Sequence, residues 1–132
     1  MDTKRGIEPK VVVERYLAEV LNGARPEAAG ELISDESLRQ RVAGFRKAFP
    51  DVAVTTDVLF TEGDLVAGHF RGRGTHEGLF DGVPATGRKW DARCTAIYRV
   101  VDGRIAEAWV SWDLLSLIEQ LGGIERARTV SA

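Results

Sequence analysis

The sequence predicts an α+β fold, a curved antiparallel sheet wrapped around N-terminal helices, and three observations predict it. Apolar residues recur at helical spacing through the first fifty positions, the period changes to two from Val52 onward, and an Asp102-Gly103 turn joins two alternating runs ahead of a last helical stripe. Asp-Gly between such runs is the strongest short-range hairpin signal. Helices, then four strands, then a helix is the order of an α+β domain.

The first helix is expected over residues 9–22. Pro9 suits a first turn, Val12, Val13, Tyr16, Leu17, Val20 and Leu21 make its stripe, and Asn22-Gly23 is the stop. Pro26 opens a short second helix over residues 26–33. Ser34 or Asp35 can cap a third, residues 35–49, whose face carries Leu38, Val42, Phe45 and Phe49 and which Pro50 ends. Strands follow over residues 52–62, 65–76, 88–101 and 104–112, the first two joined by a Glu62-Gly63-Asp64 turn. Gly68, Gly72 and Gly74 thin the second strand and leave room for something beside it. A closing helix from residue 113 is capped by Asp113, striped by Leu114, Leu117, Ile118 and Leu121, and stopped by Gly122-Gly123.

Alternation assigns the faces. On the third strand Trp90, Ala92, Cys94, Ala96, Tyr98 and Val100 face inward. On the fourth, Ala106, Ala108, Val110 and Trp112 share one face against Ile105, Glu107, Trp109 and Ser111. Alanines between aromatic ends fit an apolar cavity as well as close packing. The outward side chains Ile97, Ile105 and Trp109, among Arg93, Thr95, Arg99 and Glu107, are too apolar for free solvent, so a homodimer packed through the sheets is expected.

A chain of 132 residues has the size of one domain, residues 1–132, with one core. Its 18 basic and 20 acidic residues are interspersed, which gives no basic face for nucleic acid. One cysteine, Cys94, and two histidines far apart leave no internal disulfide and no metal site of ordinary spacing. Gly72 and Gly74 open no helix, so they are no dinucleotide fingerprint. With no signal peptide and no run near the roughly 20 apolar residues that span a bilayer, a soluble, cytoplasmic protein without membrane contact is expected.

Five segments in order, Val66-Ala67 after Glu62-Gly63-Asp64, Gly74-Thr75-His76-Glu77-Gly78, Gly82-Val83-Pro84-Ala85-Thr86-Gly87-Arg88, Asp102-Gly103-Arg104-Ile105 and Gln120-Leu121-Gly122, resemble the SnoaL-like polyketide cyclases. The resemblance implies the cone-shaped α+β barrel of the nuclear-transport-factor-two-like superfamily, with a ligand cavity inside the cone. Cyclases of that family close a ring by aldol condensation with an aspartate on the last strand and a histidine on the strand before. An ungapped alignment places Val110 and Ala96 there, and neither moves a proton.

His76 and Asp113 are the catalytic candidates that remain, and Arg41, Phe45, Phe49, Trp90, Ala96, Tyr98, Val110 and Trp112 are the candidate substrate contacts. Each also has an ordinary role: a loop histidine on backbone, a helix cap, a solvated arginine, core aromatics. His69 has the parity opposite to His76, so at most one lines a pocket. The family's anthracycline branch also includes proteins of ring hydroxylation. The resemblance therefore implies a ring hydroxylase, or hydroxylase component, acting on a polycyclic aromatic polyketide. It would hold no bound cofactor and would use molecular oxygen, with an external reductase preparing the substrate. The alternatives are a polyketide cyclase or isomerase that uses His76 or Asp113, and a non-catalytic small-molecule-binding protein.

Overall fold

The computed structural model describes residues 8–124, so both ends of the expected 1–132 unit lie outside the described residues. Helix α1, Pro9–Arg15, continues without a break into a π-helical segment, Tyr16–Leu21. Its wider turn is closed by the Asn22 N–H donating to the Leu17 carbonyl at 2.8 Å, and it buries Tyr16, Leu17, Val20 and Leu21 together. Asn22 then pairs with the Val54 backbone in both directions, Nδ2 to O at 2.9 Å and N to Oδ1 at 2.7 Å, which fastens the helix end to the edge of the sheet.

The helix expected over residues 26–33 is shorter than its pattern. A 3-10 turn, Pro26–Ala28, leads into a single α turn, α2, Ala29–Leu32. Ile33 leaves the helix because it forms a parallel bridge with Ile105, and the Ser34 N–H donates to the Ile105 carbonyl at 3.0 Å. Helix α3, Glu36–Ala48, is capped by Asp35, whose carboxylate accepts from the Leu38 N–H at 2.8 Å.

Strands β1, Ala53–Glu62, β2, Leu65–Thr75, β3, Lys89–Val101, and β4, Arg104–Trp112, form one antiparallel sheet in the order β1-β2-β3-β4. The sheet is not closed, and its concave face packs on the helices. Helix α4, Leu114–Gln120, capped by Asp113, lies against β3. There the Gln120 amide exchanges two hydrogen bonds of 2.8 Å with the Asp91 backbone.

The inward face of β3 is as its alternation predicts, with Trp90, Ala92, Cys94, Ala96, Tyr98 and Val100 all buried. The start of β4 corrects the sequence reading. Arg99 pairs with Glu107 and Val100 with Ile105, so one residue of β4, Ala106, is skipped and the parity flips. Ile105 is therefore fully buried in the core instead of facing out. A second irregularity at Asp57 shifts the register of β1 against β2. Among the described residues, no helix is long and apolar enough to cross a membrane.

On the convex face the register lines up Phe60, Ala67, Ile97 and Trp109 in one row across all four strands. Phe60 is 60% exposed, Trp109 49% and Ile97 39%, with charged pairs on either side of the row. A dimer formed through this row is the expected state at micromolar concentration, by light scattering. Trp109→Lys should shift the species toward monomer with an unchanged far-ultraviolet spectrum; a wild-type monomer would rule the interface out.

Candidate functional site

Between the concave face and the helices lies a cavity of about 230 Å³. The helices contribute Tyr16, Leu17 and Leu21 from the π-helical segment and Leu38, Arg41, Val42 and Phe45 from α3. The sheet contributes Val54, Phe70, Cys94, Tyr98, Val110 and Trp112. Val110, 42% exposed on the edge strand, and the exposed Arg41 mark its mouth.

The side-chain hydrogen-bonding groups of this wall are few. Tyr16 and Tyr98 approach with ring centroids 5.6 Å apart. Neither hydroxyl bonds another described residue, and both residues line the cavity. Burial raises the pKa of the Tyr16 phenol far above the ordinary tyrosine range; Cys94 adds to the rise and the charge of Arg41 opposes it. Burial likewise holds Tyr98 well above that range, with Tyr16 and Cys94 adding to the shift. Burial pushes the Cys94 thiol up to about 11 against a backbone hydrogen bond from Ser111. All three are protonated near neutrality. Arg41 makes no hydrogen bond or ion pair with any described residue. Among the described residues the wall holds no carboxylate and no imidazole.

Five of the residues expected at the site do line the cavity: Arg41, Phe45, Tyr98, Val110 and Trp112. Ala96 and Val110 are direct cross-strand partners on one face, as the alignment requires. Ala96 itself is buried and does not line the cavity; the Phe70 ring lies against Gly68, its partner on β2. Phe49 and Trp90 do not line the cavity. They are core residues, with ring centroids 4.9 Å apart.

His76 does not reach the cavity either. It is fully buried under the segment that joins β2 to β3, where its Nδ1 is 2.9 Å from Thr86 Oγ1 and its backbone pairs with Gly87 and Arg88. The loop it fastens is held in turn by Glu77 and Gly78, whose N–H groups donate to the Ala48 carbonyl at the end of α3. Asp113 is exposed and accepts from the Ser116 N–H at 3.3 Å as the cap of α4. His69 points outward, 3.1 Å from Asp57.

Sequence reasoning missed Tyr16 and Cys94 as cavity residues, reading them only as core. The available signal was Tyr16 itself, the one phenol in a stripe of valines and leucines, whose hydroxyl had to find a partner or a void. The room left by the glycines also has an occupant. A Cβ on Gly72 would stand 2.5 Å from the Trp112 ring, and one on Gly74 would stand 3.1 Å from Trp90, so the thinned strand seats tryptophans.

A family model described as SnoaL-like polyketide cyclase matches residues 9–121. The chain is 32% identical over 112 residues to aklanonic acid methyl ester cyclase DauD of Streptomyces sp. (strain C5), covering 84% of this chain and 70% of that protein. Among solved structures it is similar to IdmH, a candidate polyketide cyclase from Streptomyces antibioticus. That match has 30% identity and a TM-score of 0.71, over 87% of this chain and 99% of that one. It shares its fold with AclR, a candidate hydroxylase from Streptomyces galilaeus, at 23% identity and a TM-score of 0.76, over 91% and 84% of the two chains.

Gly72→Ala should tilt the Trp112 ring off the sheet and into the cavity. Overpacking of this kind costs roughly 1–3 kcal/mol, so a lower melting temperature and weaker binding of any cavity ligand are expected. Unchanged values for both would show that the ring is not held by this contact.

Proposed function

We propose, because this chain belongs to the SnoaL-like polyketide cyclase family, that it closes a ring in an aromatic polyketide by intramolecular aldol addition. The observation that carries this reading is the pair of protonated phenols, Tyr16 and Tyr98, with hydroxyls unclaimed by any described residue in an apolar cavity. In the aldol step a carbon between two carbonyls loses a proton, the resulting enolate attacks a ketone carbon, and the new alkoxide takes up a proton. Negative charge therefore sits on oxygen throughout. Fixed donors in a water-poor site are the groups that stabilise such charge, and removal of one oxyanion donor typically costs about 10²–10³ in kcat.

Among the described residues no cavity side chain is a base at neutral pH, so in this reading the proton leaves to solvent through the mouth beside Val110. A carbon flanked by two carbonyls is acidic enough for that. The protein's part is to hold the chain folded with its reacting carbons in contact and to lower the energy of the oxyanion. His76 and Asp113 have no place in this scheme, since one fastens a loop and the other caps a helix.

Ring hydroxylation is the second reading. What favours it is the Ala96 and Val110 pair, where the usual acid and base are missing. It needs molecular oxygen and a reduced, electron-rich ring, prepared by a separate reductase. The likeness to a candidate hydroxylase lends it the fold alone, whereas the cyclase relative is the more similar in sequence.

Tyr98→Phe and Tyr16→Phe should each lower kcat for ring closure about 10²-fold while ligand affinity falls by about tenfold at most, the worth of one neutral hydrogen bond. Loss of affinity in parallel with kcat would make the phenols binding groups only. Wild-type turnover should be the same with and without oxygen, and its product should be an isomer of the substrate. A product heavier by one oxygen atom, formed only in air with a reductant, would establish the hydroxylase reading instead.

A further inference from the structure

We infer that Arg41 selects substrates that carry a free carboxylate, so that this cavity takes an aromatic polyketide acid in preference to its neutral ester; the inference rests on the polyketide reading of the cavity. Arg41 is the one charged residue among the described residues of the cavity wall. It has no partner among the described residues, in contrast to Arg15, Arg71, Arg93 and Arg99, each of which has a carboxylate. A guanidinium offers a planar fork of donors and no acceptor, a shape that matches a carboxylate with two parallel hydrogen bonds.

Its place at the mouth sets which end of the ligand it meets. Arg41 stands on α3 one turn before Phe45, which stacks on Trp112 deeper in the cavity, and its charge is felt at the Tyr16 phenol. From the mouth inward the ligand meets a cation, then two neutral phenols, among apolar walls. Tyrosine hydroxyls donate readily, Arg41 only donates, and the thiol is a weak group either way. No described side chain of the wall accepts strongly. The complementary ligand is a fused-ring compound with carbonyl oxygens along its length and an anionic oxygen pair at the end that stays near solvent. A methyl ester at that end removes the charge and half of the fork's acceptor geometry.

The test uses anthraquinone-2-carboxylic acid and its methyl ester, with binding to the full-length protein read from quenching of tryptophan fluorescence, which Trp112 reports from within the cavity. The wild type should bind the acid about 10-fold more tightly than the ester, the scale of one partly solvated charge-assisted contact. Arg41→Gln should remove that preference, with the larger loss of affinity on the acid. Arg41→Lys should keep part of it, and Lys47→Gln, an exposed charge on the same helix, should keep all of it. Equal binding of acid and ester by the wild type, or a preference that survives Arg41→Gln, overturns the inference while the polyketide reading stands. Failure of both compounds to bind overturns the polyketide reading of the cavity and the inference with it.

Discussion

The Trp112 ring lying on Gly72 is the contact on which the interior depends. Trp112 ends β4, yet its ring reaches across β3, over the small Ala92, to the bare backbone of β2. There it stacks on Phe45 of α3 at 5.3 Å with the planes 17° apart, and it meets Trp90 edge-on at 5.6 Å. Phe45 in turn touches Phe49 at 5.0 Å and Phe80 at 6.0 Å, which brings the β2–β3 loop into the same block. Offset and edge-on aromatic pairs are each worth about 0.5–1.5 kcal/mol beyond the area they bury. The block fills the concave face near the start of β3, and the face between it and the far helices is left open. A side chain at position 72 would put the rings where the cavity is.

A void costs packing, so the frame round it has to be secured elsewhere. An unclosed sheet adds a second cost, because its free edges carry unpaired backbone groups. This chain meets the second cost with side chains that imitate a strand. Asn22 gives Val54 both a donor and an acceptor on the outer side of β1, and Gln120 does the same for Asp91 where β3 runs beyond β4. Ile33 and Ser34 supply the third closure, at Ile105 on the outer side of β4. Each closure also ties a helical element to the sheet, so the groups that satisfy the edges are the ones that fix the helices over the cavity.

Much of this was legible in the sequence, and where it was not there is a physical reason. Helix and strand order follow from period, and the inner face of β3 follows from alternation, because one face of a half-buried sheet admits no polar residue. Ile105 was assigned to the wrong face because a bulge leaves no mark in a pattern of alternation; it shows only as a skipped partner, here Ala106. The short helix before Ile33 was overdrawn because its residues satisfy helical spacing while Ile33 is claimed by β4, a partner 72 positions away. The glycines of β2 did signal room, but sequence does not say whether a ligand or a tryptophan fills it. His76 is a site candidate from its place in the Gly74-Thr75-His76-Glu77-Gly78 segment at the end of a glycine-thinned strand, and a loop histidine on backbone is the other role open to it. Its loop, closed on Thr86, Gly87 and Arg88, is what required it.

The hydroxyls of Tyr16 and Tyr98 bear on what the cavity is for. A buried hydroxyl without a partner costs about 1–3 kcal/mol, and phenylalanine would fill the same space at either position without that cost. The core shows that the chain uses phenylalanine freely, at Phe45, Phe49 and Phe70. Two phenols kept side by side, with no acceptor supplied by the described residues, therefore have no packing rationale. Water entering a cavity of about 230 Å³ can satisfy them, since the two hydroxyls give it polar partners within otherwise apolar walls. A ligand that expels the water has to bring acceptors of its own or lose those hydrogen bonds. Apolar walls alone would accept any flat hydrocarbon; the two phenols make oxygen atoms at a fixed depth a condition of tight binding. Carbonyl oxygens held there gain most when they become enolate or alkoxide, because the donors are already in place and do not reorganise as charge develops. The same two hydroxyls thus discriminate among ligands in the ground state and favour the charged states of ring closure.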